Sequence, residues 1–406
     1  MKDNQMRTLA FALLLSFAAC SAAMGQFVHP GVVHSSESIA FVKKQVAAGE
    51  QPWTGAWERF RKSRYASLDW KAEPFRQVER GPYNDPDIGS SEFSDDAQAA
   101  HCHALCFAIS GDEAHAKKAA EILDAWSGTL KGIGNHDAQL LIGMSGYHFV
   151  VGAELLKHTW NKWPEDKQAK FETMLREIFY ATITDFHPTA NGNWDASMMQ
   201  VMIAMGVFLD DQKIFDQAKD YYIEGYGNGA IGNYFKESGQ CQETGRDQAH
   251  TQMGLEFLAN TCETAWIQDV DLYGALDNRL LKGFEYTAKY NLGFDVPYEP
   301  YESVEGRYHY KKISKVSRGR LRPMYERIYN HYSNRKGIET PHTEKAMMSV
   351  RSRHTKKLNE EKERRAKRRR SWRSWKSQLD TLMFAGQPAE VEEGLELEKV
   401  PVGGVK

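Results

Sequence analysis

The stretch SDDAQAAHCHALCFAISGDEAHAKKAAEILDAWS, Ser94 to Ser127, decides the fold. Apolar residues recur in it at spacings of three and four, the signature of helices with a buried face. Ser110-Gly111-Asp112-Glu113 interrupts the pattern: the glycine ends one helix and the aspartate offers a side-chain acceptor to cap the next. Two helices joined by so short a turn run antiparallel. The same spacing continues on both sides, predicting helices over Ser36 to Ala48, Trp53 to Ser67, Asp95 to Ile109, Asp112 to Thr129, Ala138 to His158, Glu165 to Asp185, Asp195 to Leu209, Gln212 to Gly225, Asp247 to Ile267 and Leu272 to Leu292. Trp163-Pro164-Glu165 opens one of these with proline in the first turn, where no N–H is needed. Strand signals are sparse and no fixed-period repeat occurs, which argues against a solenoid. The expected architecture is all-α: an α/α toroid, an incomplete barrel of antiparallel helical hairpins. Within the deciding stretch, His101 to Cys106 (HCHALC) invites a metal reading. Only Cys102 and Cys106 share a helix face, so core packing is the expectation.

With 406 residues, 41% of them hydrophobic, the chain can bury a large core. Lys2 and Arg7 precede an apolar run from Leu9 to Ala19 and then small residues up to Gly25, the pattern of a secretory signal peptide too short to span a bilayer. Cys20 behind Phe17-Ala18-Ala19 also permits a lipoprotein reading. The division expected is a signal peptide at 1–25, a helical catalytic domain at 26–345 and an extension at 346–406, in a periplasmic or secreted protein without a membrane span. Cys102, Cys106, Cys241 and Cys262 are too few for a disulfide framework in so long a chain. The net charge of −2 is uneven, because about half of the residues between Arg351 and Lys376 are Lys or Arg. The rest is acidic, and any acidic ligand must be met by local cations. The extension, basic and then acidic, reads as solvated or partly disordered. Nucleic acid is not an expected partner, since an exported protein rarely meets it.

Ionisable groups gather in GQCQETGRDQAHTQMG, Gly239 to Gly254. Glu243, Arg246 and His250 stand at i, i+3 and i+7 and share a face if a helix begins near Glu243. Three polar, aromatic loops interrupt the helices: Gly81 to Asp96, His187 to Ser197 and Tyr290 to Ser314. Loops at one end of a helical toroid are where a substrate groove is built. No HExxH, EF-hand or paired CxxC pattern is present, so neither metal nor cofactor is expected in catalysis.

Taken together, the Ser94 to Ser127 stretch, NGNWDAS, ETGRDQAHTQMGL and SRGRLRPMYERIYNHY resemble the bacterial alginate-lyase-domain polysaccharide lyases, polysaccharide lyase family 38 most of all, over about Val33 to Pro341. The resemblance implies an α/α toroid that holds a uronate among an Asn or similar group, a His, an Arg and a Tyr. It implies cleavage of a 1,4-linked polyuronate by β-elimination. That reaction removes the C5 proton beside a carboxylate and expels the oxygen at C4, so the carboxylate must first be neutralised. Under this reading Asn193 neutralises it, His250 is the base, and Tyr308, beside Arg307 in GRYHY, is the acid, with Tyr301 in reserve. Arg246 orients the carboxylate, Glu243 fixes Arg246 or His250, and Trp194 offers a sugar platform. Two other readings stand beside it: an inverting glycoside hydrolase using Glu243 and Asp247, and a non-catalytic polysaccharide-binding protein.

Overall fold

The computed structural model describes residues 27–363 and 373–386. The segment 1–25 read as a signal peptide, Cys20, the run Lys367 to Arg370 and the acidic end fall outside the described residues.

The deciding stretch forms the hairpin its sequence predicts. Helix Ser90–Ser110 ends at Gly111, which takes the left-handed conformation (φ 74°) that costs other residues strain, and its N–H returns to the Phe107 carbonyl. Asp112 then caps Glu113–Thr129 by accepting the Ala114 N–H at 3.0 Å.

Such helices are arranged in two shells. Ser90–Ser110, Tyr147–Thr159, Asn193–Phe208 and Gln248–Ile267 pack on one another and are buried along most of their length; in Asn193–Phe208 every residue but Trp194 is buried. Glu113–Thr129, Gln212–Glu224 and Ala275–Asn291 each bury one face against this inner set and turn charged residues outward. A helix apolar all round has to be enclosed and an amphipathic one encloses it, so the shells follow from the sequence pattern. Close approach sets some contacts: a Cβ on Gly206 would lie 2.6 Å from the Phe215 nitrogen. Only glycine lets those two helices meet there.

Several boundaries differ from expectation. The Trp53 helix stops at Phe60 and is followed by a 3-10 turn, Arg64–Ala66. The helices predicted from Ala138 and Glu165 each pass through a π turn, Ile142–Gly146 and Leu175–Tyr180. Short strands fall where the loops are: Gln77–Arg80 pairs with Asp87–Ile88 and with Gly132–Gly134, and Tyr301–Glu302 pairs with His309–Tyr310. HCHALC is core: Cys102 and Cys106 are fully buried free thiols, and burial pushes Cys106 up to about 12.

The expectation of a solvated tail is corrected for one segment. Helix Arg373–Phe384 packs on Trp53–Phe60, with Trp375, Leu382, Met383 and Phe384 buried. Trp375 Nε1 donates to Gln98 Oε1 at 2.8 Å, and its ring meets His101 and His148 edge-on. The spacing Trp375, Leu379, Leu382 carries that apolar face, but the neighbouring Lys and Arg residues masked it in the sequence. Trp375→Ala should therefore destabilise the protein by about 3–5 kcal/mol. A denaturation midpoint unchanged from wild type would return this helix to the solvated tail.

Candidate active site

Asp247 organises the site. It caps helix Gln248–Ile267, its Oδ1 accepting the Ala249 and His250 N–H groups at 2.9 and 2.8 Å, while its Oδ2 lies 2.6 Å from His250 Nδ1. This network assigns the proton to Nδ1 and leaves the lone pair on Nε2. Burial opposes the Asp247 charge, but the hydrogen bonds from His250 and the positive charges beside it hold the carboxyl below its usual range. Arg246 reaches both neighbours, with Nη2 3.2 Å from His250 Nε2 and Nη1 2.7 Å from Glu243 Oε1.

Glu243, Arg246 and His250 are thus together, as the spacing predicts, but not on one helix. Gln242–Gly245 is a 3-10 turn, Asp247 is extended (φ −172°), and the helix starts at Gln248. Asp247 is the better N-cap, so it takes the helix start from Glu243.

Glu243 is fully buried and satisfied. Its Oε2 accepts the Tyr234 hydroxyl at 2.6 Å and the Asn193 N–H at 3.0 Å, and Oε1 accepts Arg246. With its amide nitrogen turned toward Glu243, Asn193 also donates to both carboxylate oxygens, at 3.1 and 3.2 Å. Asn193 opens helix Asn193–Phe208 and is only 1% exposed. The structure therefore corrects the expectation that it presents its amide to a ligand; it positions Glu243 instead. Asn191, two residues earlier, is the amide that sequence reasoning missed. Its Oδ1 accepts from Gln242 Nε2 and from the Tyr310 hydroxyl, both at 3.1 Å, and its Nδ2 has no partner among the described residues.

Among the tyrosines of the Tyr290 to Ser314 loop, Tyr310 is the one whose hydroxyl joins Asn191. It packs on Gly245, where a Cβ would come within 2.3 Å of the Tyr310 Cβ. Burial and the Glu243 charge push its phenol up to about 12, with the Arg246 charge pulling the other way. Tyr308 lies one step outward, its ring parallel to that of Tyr310 at 6.2 Å, with the Arg307 guanidinium 5.4 Å from the Tyr308 ring. Tyr301 turns aside: its hydroxyl donates to the Asn233 carbonyl, which ties the strand pair down.

Trp194 stands at the mouth, half-buried, with His136 and His187 edge-on to it at 5.6 and 5.3 Å. Burial lowers the His187 pKa, and the charges of Arg307 and His136 add to the effect; the two imidazoles make an aromatic rim beside the indole, with Arg307 near His187. Asn228 joins two of the expected loops, donating to the Pro188 carbonyl at 2.9 Å and accepting the Val304 N–H at 2.7 Å. Asp195 fixes the same region through the His187 and Gly229 N–H groups and the Tyr221 hydroxyl.

Burial raises Asp195 to about 6, those hydrogen bonds opposing. A carboxyl that holds its proton more tightly folded than unfolded makes the folded state lose stability as pH rises from about 4 to 6. Relative to Asp195→Asn, wild type should lose on the order of 3 kcal/mol across that window. Parallel stability–pH curves for the two proteins would show that Asp195 is ionised throughout.

Four buried inner helices enclosed by amphipathic ones form an α/α toroid, and His250, Arg246, Tyr310 and Asn191 gather beside the starts of two of them. The chain belongs to the alginate lyase family, whose model matches residues 62–295, more than half of the sequence. The fold is shared with alginate lyase A1-III from Sphingomonas species A1, at 13% identity and a TM-score of 0.54 over 77% of this chain and 92% of that one. A histidine-to-alanine variant of A1-III, complexed with a tetrasaccharide, gives a TM-score of 0.53. An alginate lyase from Bacteroides ovatus matches at 12% identity and a TM-score of 0.51, over 67% of this chain and 88% of that one. Comparison with curated protein sequences gave no significant match.

Proposed function

We propose that the protein is an exported polysaccharide lyase that cleaves a 1,4-linked polyuronate by β-elimination, with mannuronate-rich alginate first and glucuronan second. The observation that carries this reading is the Asp247–His250–Arg246 relay beside Tyr310 and Asn191. The cleft supplies each group the reaction needs. Asn191 Nδ2 and the Arg246 guanidinium neutralise the uronate carboxylate, so that negative charge can develop at C5. In the free protein Arg246 donates to His250 Nε2; the arriving carboxylate draws the guanidinium toward itself and frees the lone pair to take the C5 proton. Asp247 stabilises the imidazolium that results. Tyr310, held in the phenol form, donates its proton to the departing O4. Tyr308 and Trp194 offer flat faces to sugar rings on either side, and Arg307 meets a neighbouring carboxylate.

The hydrolase reading asks Glu243 and Asp247 to act as acid and base around a water. Glu243 is fully buried with its oxygens filled, and Asp247 is engaged by a helix N-terminus and an imidazole. Neither is placed to activate water. The export reading rests on the N-terminal sequence pattern, and the affinity for an acidic polymer on the cations at the rim.

A panel of polymannuronate, polyguluronate, glucuronan and a neutral glucan, followed by ultraviolet absorbance, tests the proposal. The unsaturated uronate product absorbs, and it should accumulate with the polyuronates alone. Turnover of the neutral glucan without absorbance would favour a hydrolase, and binding without depolymerisation would favour a carbohydrate-binding protein.

A further inference from the structure

A second cluster uses none of the cleft residues. His29, in the segment before the first helix, and Glu154 and His158, one turn apart on the inner helix Tyr147–Thr159, hold their ligand atoms within 4.8 Å of one another. His29 Nδ1 is 2.8 Å from Glu154 Oε1, and His158 Nε2 is 3.5 Å from Glu154 Oε2. Glu154 is fully buried, and its Oε2 has no hydrogen-bond partner among the described residues. A carboxylate oxygen left unpaired in the interior is costly, and here it points to where an imidazole nitrogen also converges. The surroundings complete the pattern. His29 Nε2 lies 3.1 Å from Asp210 Oδ1, and the Gly31 N–H donates to Glu154 Oε1 at 2.8 Å. A metal-binding histidine characteristically donates its other ring N–H to a carboxylate, which fixes the ring and strengthens it as a ligand.

We propose that His29 Nδ1, Glu154 and His158 Nε2 form a structural zinc site that fastens the N-terminal segment to the inner helix. Two imidazoles and a carboxylate are donors that suit zinc; they number three, against the four protein ligands usual in a structural site, so water completes the tetrahedron here. Bonds of about 2.1 Å in a tetrahedron put neighbouring ligand atoms about 3.4 Å apart, and the three ligand atoms here, all within 4.8 Å of one another, need only small shifts to reach it. The His29 and His158 rings stack at 4.1 Å, so His158, at the more open side of the cluster, tilts toward the ion as it binds. His29 lies between two carboxylates, its Nδ1 facing Glu154 and its Nε2 facing Asp210. Zinc takes the place of the proton on Nδ1, which leaves to solvent, so affinity falls as pH falls. In sequence the signal was a Glu-x3-His pair on one helix face, whose third ligand comes from a residue more than a hundred positions away.

The test uses the full mature chain stripped with a chelator, then titrated with Zn2+ by calorimetry and followed by thermal denaturation. One equivalent should bind and raise the midpoint. His158→Ala, a substitution at the partly exposed ligand, should abolish both effects, and Asp210→Asn should weaken binding by about 10–100-fold. Ca2+, which favours all-oxygen sites, should not replace zinc. Chelation should lower the midpoint yet leave kcat unchanged at temperatures where circular dichroism shows the chain folded. The proposal is overturned if stripped wild type binds no zinc, or if His158→Ala and His29→Ala each bind it as tightly as wild type. Loss of kcat in a folded, stripped protein would overturn the structural assignment, and would do so independently of the β-elimination reading.

Discussion

Replacing His250 with alanine should lower kcat on a polyuronate by on the order of a hundredfold or more while the protein stays folded. The effect follows from geometry. Asp247 fixes the proton on Nδ1, so Nε2 is the basic atom the cluster presents, and no second imidazole among the described residues is joined to this network. Folding should survive because the His250 side chain is about one-third exposed and Asp247 keeps its backbone capping bonds when the ring is gone. KM should change little, since Arg246, Asn191 and the rim remain. Asp247→Asn is a companion test of positioning: the amide can still cap the helix but stabilises the imidazolium less, so kcat should fall and the pH profile should move. A His250→Ala protein with wild-type kcat would remove the base from this account.

Tyr310→Phe should cost a comparable factor, roughly 10²–10⁴ in kcat, because it deletes only the hydroxyl that protonates O4. Its ring would still pack on Gly245. Tyr308→Phe should stay within a few-fold of wild type, since a parallel ring at the outer position retains its face for a sugar. Tyr301→Phe should act on stability, as it leaves the Asn233 carbonyl without its donor, at a cost of about 1–3 kcal/mol. An inactive Tyr308→Phe beside an active Tyr310→Phe would give the acid back to the residue the sequence pattern favours.

The contrast among these tyrosines shows where reading the sequence stops. The helical hairpins were legible because apolar spacing, Gly111 and Asp112 are local signals, each interpretable within a few residues. Glu243, Arg246 and His250 were also legible as a group, although a 3-10 turn and the Asp247 cap assemble them rather than a single helix. Asn191 and Asn193 are two positions apart, one before and one opening the helix Asn193–Phe208, and only the path of the chain there turns one amide to Glu243 and leaves the other free. Tyr308 and Tyr310 likewise lie two positions apart, one just before and one within the strand His309–Tyr310, whose placement depends on Gly245 more than sixty residues earlier. The buried helix around Trp375 was hidden for another reason: the charged residues preceding it dominate the composition, while its partners lie near Trp53 and Gln98. The Glu154 site needed a residue from the far end of the domain. Local chemistry was readable, and long-range juxtaposition was not.

The central claim is that the glycosidic bond is broken by elimination, and the mass of the products tests it most directly. Mannuronate-rich alginate digested with the wild-type protein should give oligosaccharides that are lighter by one water than their saturated counterparts, except for the fragment that keeps the original non-reducing end, with His250→Ala yielding almost none. Saturated oligosaccharides that have gained a water at each cleavage would contradict the account, whatever the fold.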